Sequence, residues 1–201
     1  MSTSLKAENV FKTYNYYDYI INDFSYNFTS DKLYAITGNN GSGKSTLLKL
    51  LSGVLKPTKG KVTFNENHNL KNVNMGYCAP YMGIYEEFTP LELIQTICEL
   101  KGQKPDNDYF YELIKQFKLE GKEEIAIRNF SSGMKQRVKL ISAFITNPDI
   151  IFLDEPSSNL DKQGIKVLQE IIYSAKESEK LIIIASNEEH EINWCNENIP
   201  L

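Results

Sequence analysis

A chain of 201 residues, 41% hydrophobic and 24% charged, is long enough to bury a substantial core and short enough for one domain. Its 26 acidic residues outnumber 22 basic ones, so no broad cationic face for nucleic acid is expected. No stretch approaches the roughly 20 apolar residues of a membrane span, the first residues lack the apolar core of a secretory leader, and Cys78, Cys98 and Cys195 have no metal or disulfide spacing; the expectation is a soluble chain in a reducing compartment.

The N-terminal part is β-rich. Ala7–Phe11 and Tyr19–Phe28 carry branched and aromatic residues, and polar and aromatic side chains alternate over Ser25-Tyr26-Asn27-Phe28, which predicts an antiparallel strand with one buried face. Tyr14, Tyr16, Tyr17 and Tyr19 serve there either as base-stacking aromatics or as ordinary strand residues. Leu33–Thr37 then reads as a short strand and Lys44–Ser52 as a helix of Leu and Lys.

Between that strand and helix lies Gly38-Asn39-Asn40-Gly41-Ser42-Gly43-Lys44-Ser45-Thr46, which fits G-x-x-x-x-G-K-[ST]. Each position has a physical task. Glycines let successive backbone N–H groups face an anion with no Cβ in the way. Lys44 carries positive charge to the β- and γ-phosphates, Ser45 offers a hydroxyl oxygen to Mg²⁺, and the helix N-terminus adds free N–H groups and a favourable dipole. All nine residues are therefore assigned to a nucleotide-phosphate site.

After the turn Pro57–Gly60 the pattern predicts strands at Lys61–Phe64 and Met75–Cys78, separated by a polar stretch from Asn65 to Asn74. Thr89 and Pro90 form a helix start, with Leu91, Ile94 and Ile97 behind them. A second helix over Asp108–Lys118 gathers Phe110, Leu113, Ile114 and Phe117 on one face. Two helices with no strand between them read as a helical lobe over 90–130, inserted between core segments 1–89 and 131–201. Next come a helix over Met134–Ile145, a fully apolar strand Ile150–Leu153 closing in Asp154-Glu155, a helix over Asp161–Ser174 and the strand Leu181–Ala185. The fold class is α/β: a phosphate-loop NTPase core with a mainly parallel sheet, an N-terminal antiparallel β subdomain and an inserted helical subdomain.

Ligands of open parallel sheets sit at the carboxyl ends of the strands, where the phosphate loop, Asp154-Glu155 and Ser186-Asn187 all fall. Asp154 is the residue type that holds Mg²⁺ together with Ser45, and Glu155 is the candidate to orient or deprotonate a water attacking the γ-phosphate. An acidic pair at a strand end otherwise serves as a helix cap or a solvated tip.

With these motifs in place, the chain resembles an ATP-binding subunit of an ABC transporter along nearly its whole length. Asn129-Phe130-Ser131-Ser132-Gly133-Met134-Lys135-Gln136-Arg137 is similar to the family signature Leu-Ser-Gly-Gly-Gln with its continuation. Ser158-Asn159-Leu160-Asp161 resembles the family's D-loop, and Tyr14 falls where an aromatic residue stacks on adenine. The resemblance implies a homodimer or heterodimer, packed head to tail around two ATP molecules. Ser131, Ser132 and Gly133 of one subunit would then face the phosphate loop of the other, with Asp161 beside the shared nucleotide. It further implies Mg²⁺-dependent ATP hydrolysis, separate transmembrane permease subunits, and a cytoplasmic location peripheral to the inner face of the membrane. The small size resembles the ATPase subunits of small exporters.

Three positions depart from the family pattern. Its Mg²⁺- and water-sensing glutamine falls on Pro80, its histidine after the last core strand falls on Asn187, and Ser132 replaces the first signature glycine. Asn187 keeps an N–H donor for the γ-phosphate but cannot carry a proton, so turnover is affected more than binding. The stretch Pro80–Phe88, with Tyr81, Met82, Ile84, Tyr85 and Phe88, is either a permease contact or part of the folded core. Two alternatives to the transport ATPase stand: a subunit that closes on ATP with little hydrolysis, and a non-transport ABC ATPase acting on a macromolecular machine.

Overall fold

The computed structural model describes residues 3–15, 18–65 and 73–201. Tyr16, Tyr17 and most of the polar stretch before Asn74 lie outside the described residues. The strands in chain order are β1 (Ser4–Thr13), β2 (Tyr19–Thr29), β3 (Leu33–Thr37), β4 (Lys59–Phe64), β5 (Met75–Cys78), β6 (Ile150–Asp154), β7 (Leu181–Ala185) and β8 (Glu197–Pro200). The helices are α1 (Lys44–Leu51), α2 (Pro90–Leu100), α3 (Asn107–Gln116), α4 (Ser132–Phe144), α5 (Lys162–Glu177) and α6 (Glu189–Ile192).

Two sheets result. The five-stranded sheet runs β5-β6-β7-β3-β8 with every pairing parallel, and the three-stranded sheet runs β2-β1-β4 with both pairings antiparallel. The apolar runs of β6 and β7 explain how the large sheet supports two cores. Side chains alternate across a strand, so Ile151 and Leu153 pack with α4 and the helices α2 and α3, while Ile150 and Phe152 pack with α1 and the antiparallel sheet. Ile182 and Ile184 of β7 divide from Leu181 and Ile183 in the same way. Both faces of these strands are dry.

Helix boundaries follow local chemistry. Thr89 and Glu92 form a reciprocal capping box at the start of α2 with Pro90 in the first turn, Asp106 caps α3, and Asp161 caps α5 through the Gly164 N–H. Phe110, Leu113 and Ile114 of α3 are buried together with Phe117 just beyond it, as their spacing requires. The antiparallel sheet carries Phe28 on its buried side, with the half-buried Phe24 and Tyr26 packed beside it.

The sequence pattern places no strand after Leu181–Ala185, yet β8 pairs with β3 from Tyr34↔Glu197 to Thr37↔Pro200. Only Ile199 of its four residues is buried, so no apolar run announces it. As an edge strand it also accommodates Pro200, which has no N–H to donate.

Candidate functional site

Parallel register makes the site. Ala185 at the end of β7 lies opposite Asp154 on one side and Ile36 on the other, so three adjacent strands end level. The segments that follow them emerge together: the glycine-rich loop, Glu155–Leu160 and Ser186–Glu188. Backbone bonds hold them there, Ser186 N–H to Ile36 O at 3.0 Å and Glu155 N–H to Ala185 O at 2.9 Å.

The glycine-rich loop wraps its own lysine. Gly41 and Gly43 have φ of 88° and 106°, in the region other residues avoid, which lets the chain turn tightly into α1. Gly43 is the N-cap and provides no side-chain cap, so the N-cap leaves the first N–H groups of α1 open to a ligand. Lys44 is only 6% exposed, and its Nζ donates to Gly38 O at 2.7 Å and Asn39 O at 3.2 Å. An ammonium has three donors, so one remains for an anion seated in the loop.

Ser45, at the start of α1, stands by Asp154 at the end of β6 and favours its charged form. Burial pushes the Asp154 carboxyl above the ordinary carboxylate range; the Glu155 charge adds to this, while the Ser45 hydroxyl and the Lys49 and Lys44 charges oppose it. Glu155 follows with φ of 43°, a left-handed backbone uncommon outside glycine, and lines the cleft beside it. Across the opening, Asn187 Nδ2 donates to Asn40 Oδ1 at 2.7 Å. Asn40, Glu155, Ser157, Ser158, Asn187 and His190 line one cleft of about 400 Å³. A larger groove of about 1030 Å³ between α3 and α5 contains none of these residues, so size does not identify the site.

The remaining expected site residues stand outside this cleft. Ser131 caps α4, its hydroxyl accepting from Met134 N at 3.2 Å, and both Ser131 and Ser132 are exposed. A Cβ on Gly133 would come within 2.8 Å of Asn159 O, so the signature abuts the Ser158–Asp161 segment of its own chain. Arg137 pairs with Asp161 at 2.9 Å, and the buried Gln136 donates to Pro156 O at 2.9 Å. Tyr14 is 63% exposed beneath the Lys12 ammonium, 5.2 Å from the ring centre. In the Pro80–Phe88 stretch the aromatic character divides. Tyr81 is 99% and Tyr85 72% exposed, whereas Ile84 and Phe88 pack on the core. Pro80 contributes only its carbonyl oxygen, which accepts from Lys139 Nζ.

Sequence reasoning missed Ser157, His190 and Glu191. Glu191 is completely buried and its Oε1 accepts the Ser157 N–H at 2.7 Å. Nothing in the run Glu188-Glu189-His190-Glu191 marks one acid as interior and the others as solvated; the only signal is its position one helical turn beyond Asn187.

Residues 21–158 match the family described as ABC transporter. The chain belongs to this family, as one of its ATPases. It is 30% identical over 177 residues to the ABC transporter ATP-binding protein YybJ of Bacillus subtilis, covering 86% of this chain and 81% of the relative. It is 31% identical over 163 residues to the cytochrome c biogenesis ATP-binding export protein CcmA of Pseudomonas fluorescens, covering 79% and 77%. Among solved structures, the ATP-binding cassette MJ0796, dimeric in a post-hydrolysis state bound to ADP and Pi, superposes with a TM-score of 0.86 at 25% identity over 98% of this chain and 94% of that one. This ABC chain binds ATP, and among its described residues no helix is long and apolar enough to cross a membrane.

Proposed function

We propose that the chain is the Mg²⁺-dependent ATPase of a small exporter, forming a homodimer or heterodimer around ATP and driving separate transmembrane permease subunits from the cytoplasmic face of the membrane. One observation carries this reading: level strand ends gather Lys44, Ser45, Asp154, Glu155 and Asn187, while Ser131 and Ser132 stand exposed, away from that cleft. The likeness to an ATP-binding export protein supports the direction of transport.

In this reading the loop N–H groups from Gly38 to Thr46 and the Lys44 ammonium receive the phosphates. Ser45 and Asp154 are hard oxygen donors close enough for the hydroxyl to act on the carboxyl, which suits Mg²⁺, a cation that takes one or two protein oxygens and completes its shell with water and phosphate. When bound, the ion neutralises charge on the phosphate oxygens. Glu155 orients the attacking water and accepts its proton, and Asn187 offers its NH₂ group to the γ-phosphate once it leaves Asn40. Tyr14 stacks on adenine. Ser131, Ser132 and Gly133 bind the partner's ATP, with Asp161 at the same interface. Residues 90–130 form the helical lobe against a core of 1–89 and 131–201.

Tyr81 and Tyr85 are large exposed side chains on a segment anchored to the core by Ile84 and Phe88, which suits a permease contact. The test is co-purification from membranes of the tagged chain and its Tyr81→Glu/Tyr85→Glu variant. The wild type should bring down an integral membrane chain and the variant should not; equal recovery counts against docking through this surface. A second reading, ATP-gated closure with little hydrolysis, is favoured by Pro80, which has no side-chain oxygen near the cleft. ATPase turnover that stays at background in the assembled complex would decide for it.

A further inference from the structure

Ser157, two residues beyond Glu155, is gripped at two points by α6. Its backbone N–H donates to Glu191 Oε1 at 2.7 Å, and its hydroxyl lies 3.0 Å from His190 Nε2. Trp194 packs edge-on against the His190 ring, with centres 5.5 Å apart, and so limits its orientation. From the opposite side, Gln136 donates to Pro156 O at 2.9 Å. Both residues after Glu155 are thus held by side chains from different helices.

Glu191 is the member of this set that needs explaining. It is completely buried, and its second oxygen, Oε2, has no hydrogen-bond partner among the described residues. A carboxylate in that situation is costly, and an apolar residue of similar volume would fill the space more favourably. Oε1 shows what the acid does there: it holds the Ser157 N–H. Glu155 itself has a left-handed backbone, which persists only where the surroundings over-determine it. Its N–H is fixed to Ala185 O at 2.9 Å on one side, and the Ser157 clamp fixes the other.

We propose that Glu191, supported by His190, is a positioning residue: acting through Ser157, it holds the Glu155 backbone so that the carboxylate faces the cleft shared with Asn187. Because α6 begins two residues beyond Asn187, one short helix sets both groups. This inference rests on the reading of Glu155 as the group that orients the attacking water.

The experiment uses the full chain and compares Glu191→Leu, Glu191→Gln, Ser157→Ala and Glu155→Gln. For each, kcat, KM, ATP affinity by calorimetry and melting temperature are measured. Glu191→Leu should lower kcat by roughly 10²-fold, the cost of a misplacement of about 1 Å, with ATP affinity within about two-fold of wild type. Glu191→Gln keeps a carbonyl oxygen for the Ser157 N–H and should recover most of the lost rate. Ser157→Ala, which breaks only the His190 contact, should lower kcat about 3-fold at unchanged affinity. If Glu191→Leu does not fold, Glu191→Met, which also removes the acceptor of the Ser157 N–H, carries the test: unchanged kcat overturns the clamp and a selective kcat loss at unchanged ATP affinity supports it. Glu155→Gln as fast as wild type would overturn the reading of Glu155 and this inference with it. Glu155→Gln inactive beside a wild-type Glu191→Leu overturns the inference alone.

Discussion

The glycine-rich loop and the signature segment are two versions of one device, a helix N-terminus preceded by small residues, and they differ in what surrounds them. At α1 the chain leaves the first N–H groups without a side-chain cap and brings Lys44, Asp154 and Asn187 alongside from three strand ends. At α4 the cap is filled by Ser131, the start of the helix is exposed, and the near neighbour is the backbone oxygen of Asn159. An anion site needs converging donors as well as a helix dipole. One end has them within the chain; the other, in the proposed dimer, would meet its ligand on a second subunit.

The largest effect should come from breaking the furnished end. Lys44→Ala removes the buried ammonium that holds the loop and, in the proposed site, meets the phosphates, and ATP affinity measured by calorimetry should fall roughly 10- to 100-fold, the range for hydrogen bonds to charged groups. Unchanged affinity would mean that the nucleotide sits elsewhere.

The unfurnished end should respond differently. In a Glu155→Gln background, which removes the proposed base while keeping its shape, ATP and Mg²⁺ should give a dimer visible by light scattering. Adding Ser132→Asp places an acid at an exposed position in the first turn of α4, where it favours the helix but opposes a partner's phosphate. Dimer affinity should fall about 10-fold with ATP binding to the monomer unchanged. Normal dimerisation would remove the contrast between the two helix ends.

A smaller effect belongs to Asn187, whose amide already reaches the loop at Asn40. Asn187→Ala should lower kcat about 5-fold with little change in ATP affinity, and Asn187→His should raise it, since an imidazole restores reach to the phosphate. Equal rates in all three proteins would show that this contact organises the loop and takes no part in hydrolysis.

The smallest effect is on stability without nucleotide. Burial raises the Asp154 carboxyl pKa above its unfolded value, so the folded chain is the tighter proton binder there. This group's contribution to stability is therefore present at low pH and lost as pH rises through the folded pKa. Asp154→Asn should melt above the wild type at neutral pH in the absence of nucleotide and Mg²⁺, with the difference shrinking under acid conditions; a lower melting temperature at neutral pH contradicts the sign.

Much of the molecule was legible in the sequence because the relevant physics is short-ranged. The loop from Gly38 to Thr46 carries its conformation in its glycines and its charge in Lys44. Thr89-Pro90 and Asp161 carry their helix starts, and the uninterrupted apolar runs at Ile150 and Leu181 require burial on both faces wherever they go. Those features predict an α/β core and the carboxylates of its strand ends. Other parts had no local signature. The strand at Glu197–Pro200 exists because the edge of β3 offers backbone partners, and the contact between Asn40 and Asn187 joins residues 147 apart in the chain. Tyr81 and Tyr85 face outward while Ile84 and Phe88 turn inward, a choice made by the helices behind them. Glu191 is a core residue only because α6 folds back onto Ser157. Local propensity and periodicity act over a few residues and were written in the sequence; register, edge pairing and the burial of one acid among several depend on which distant segments meet, and only the tertiary structure decided them.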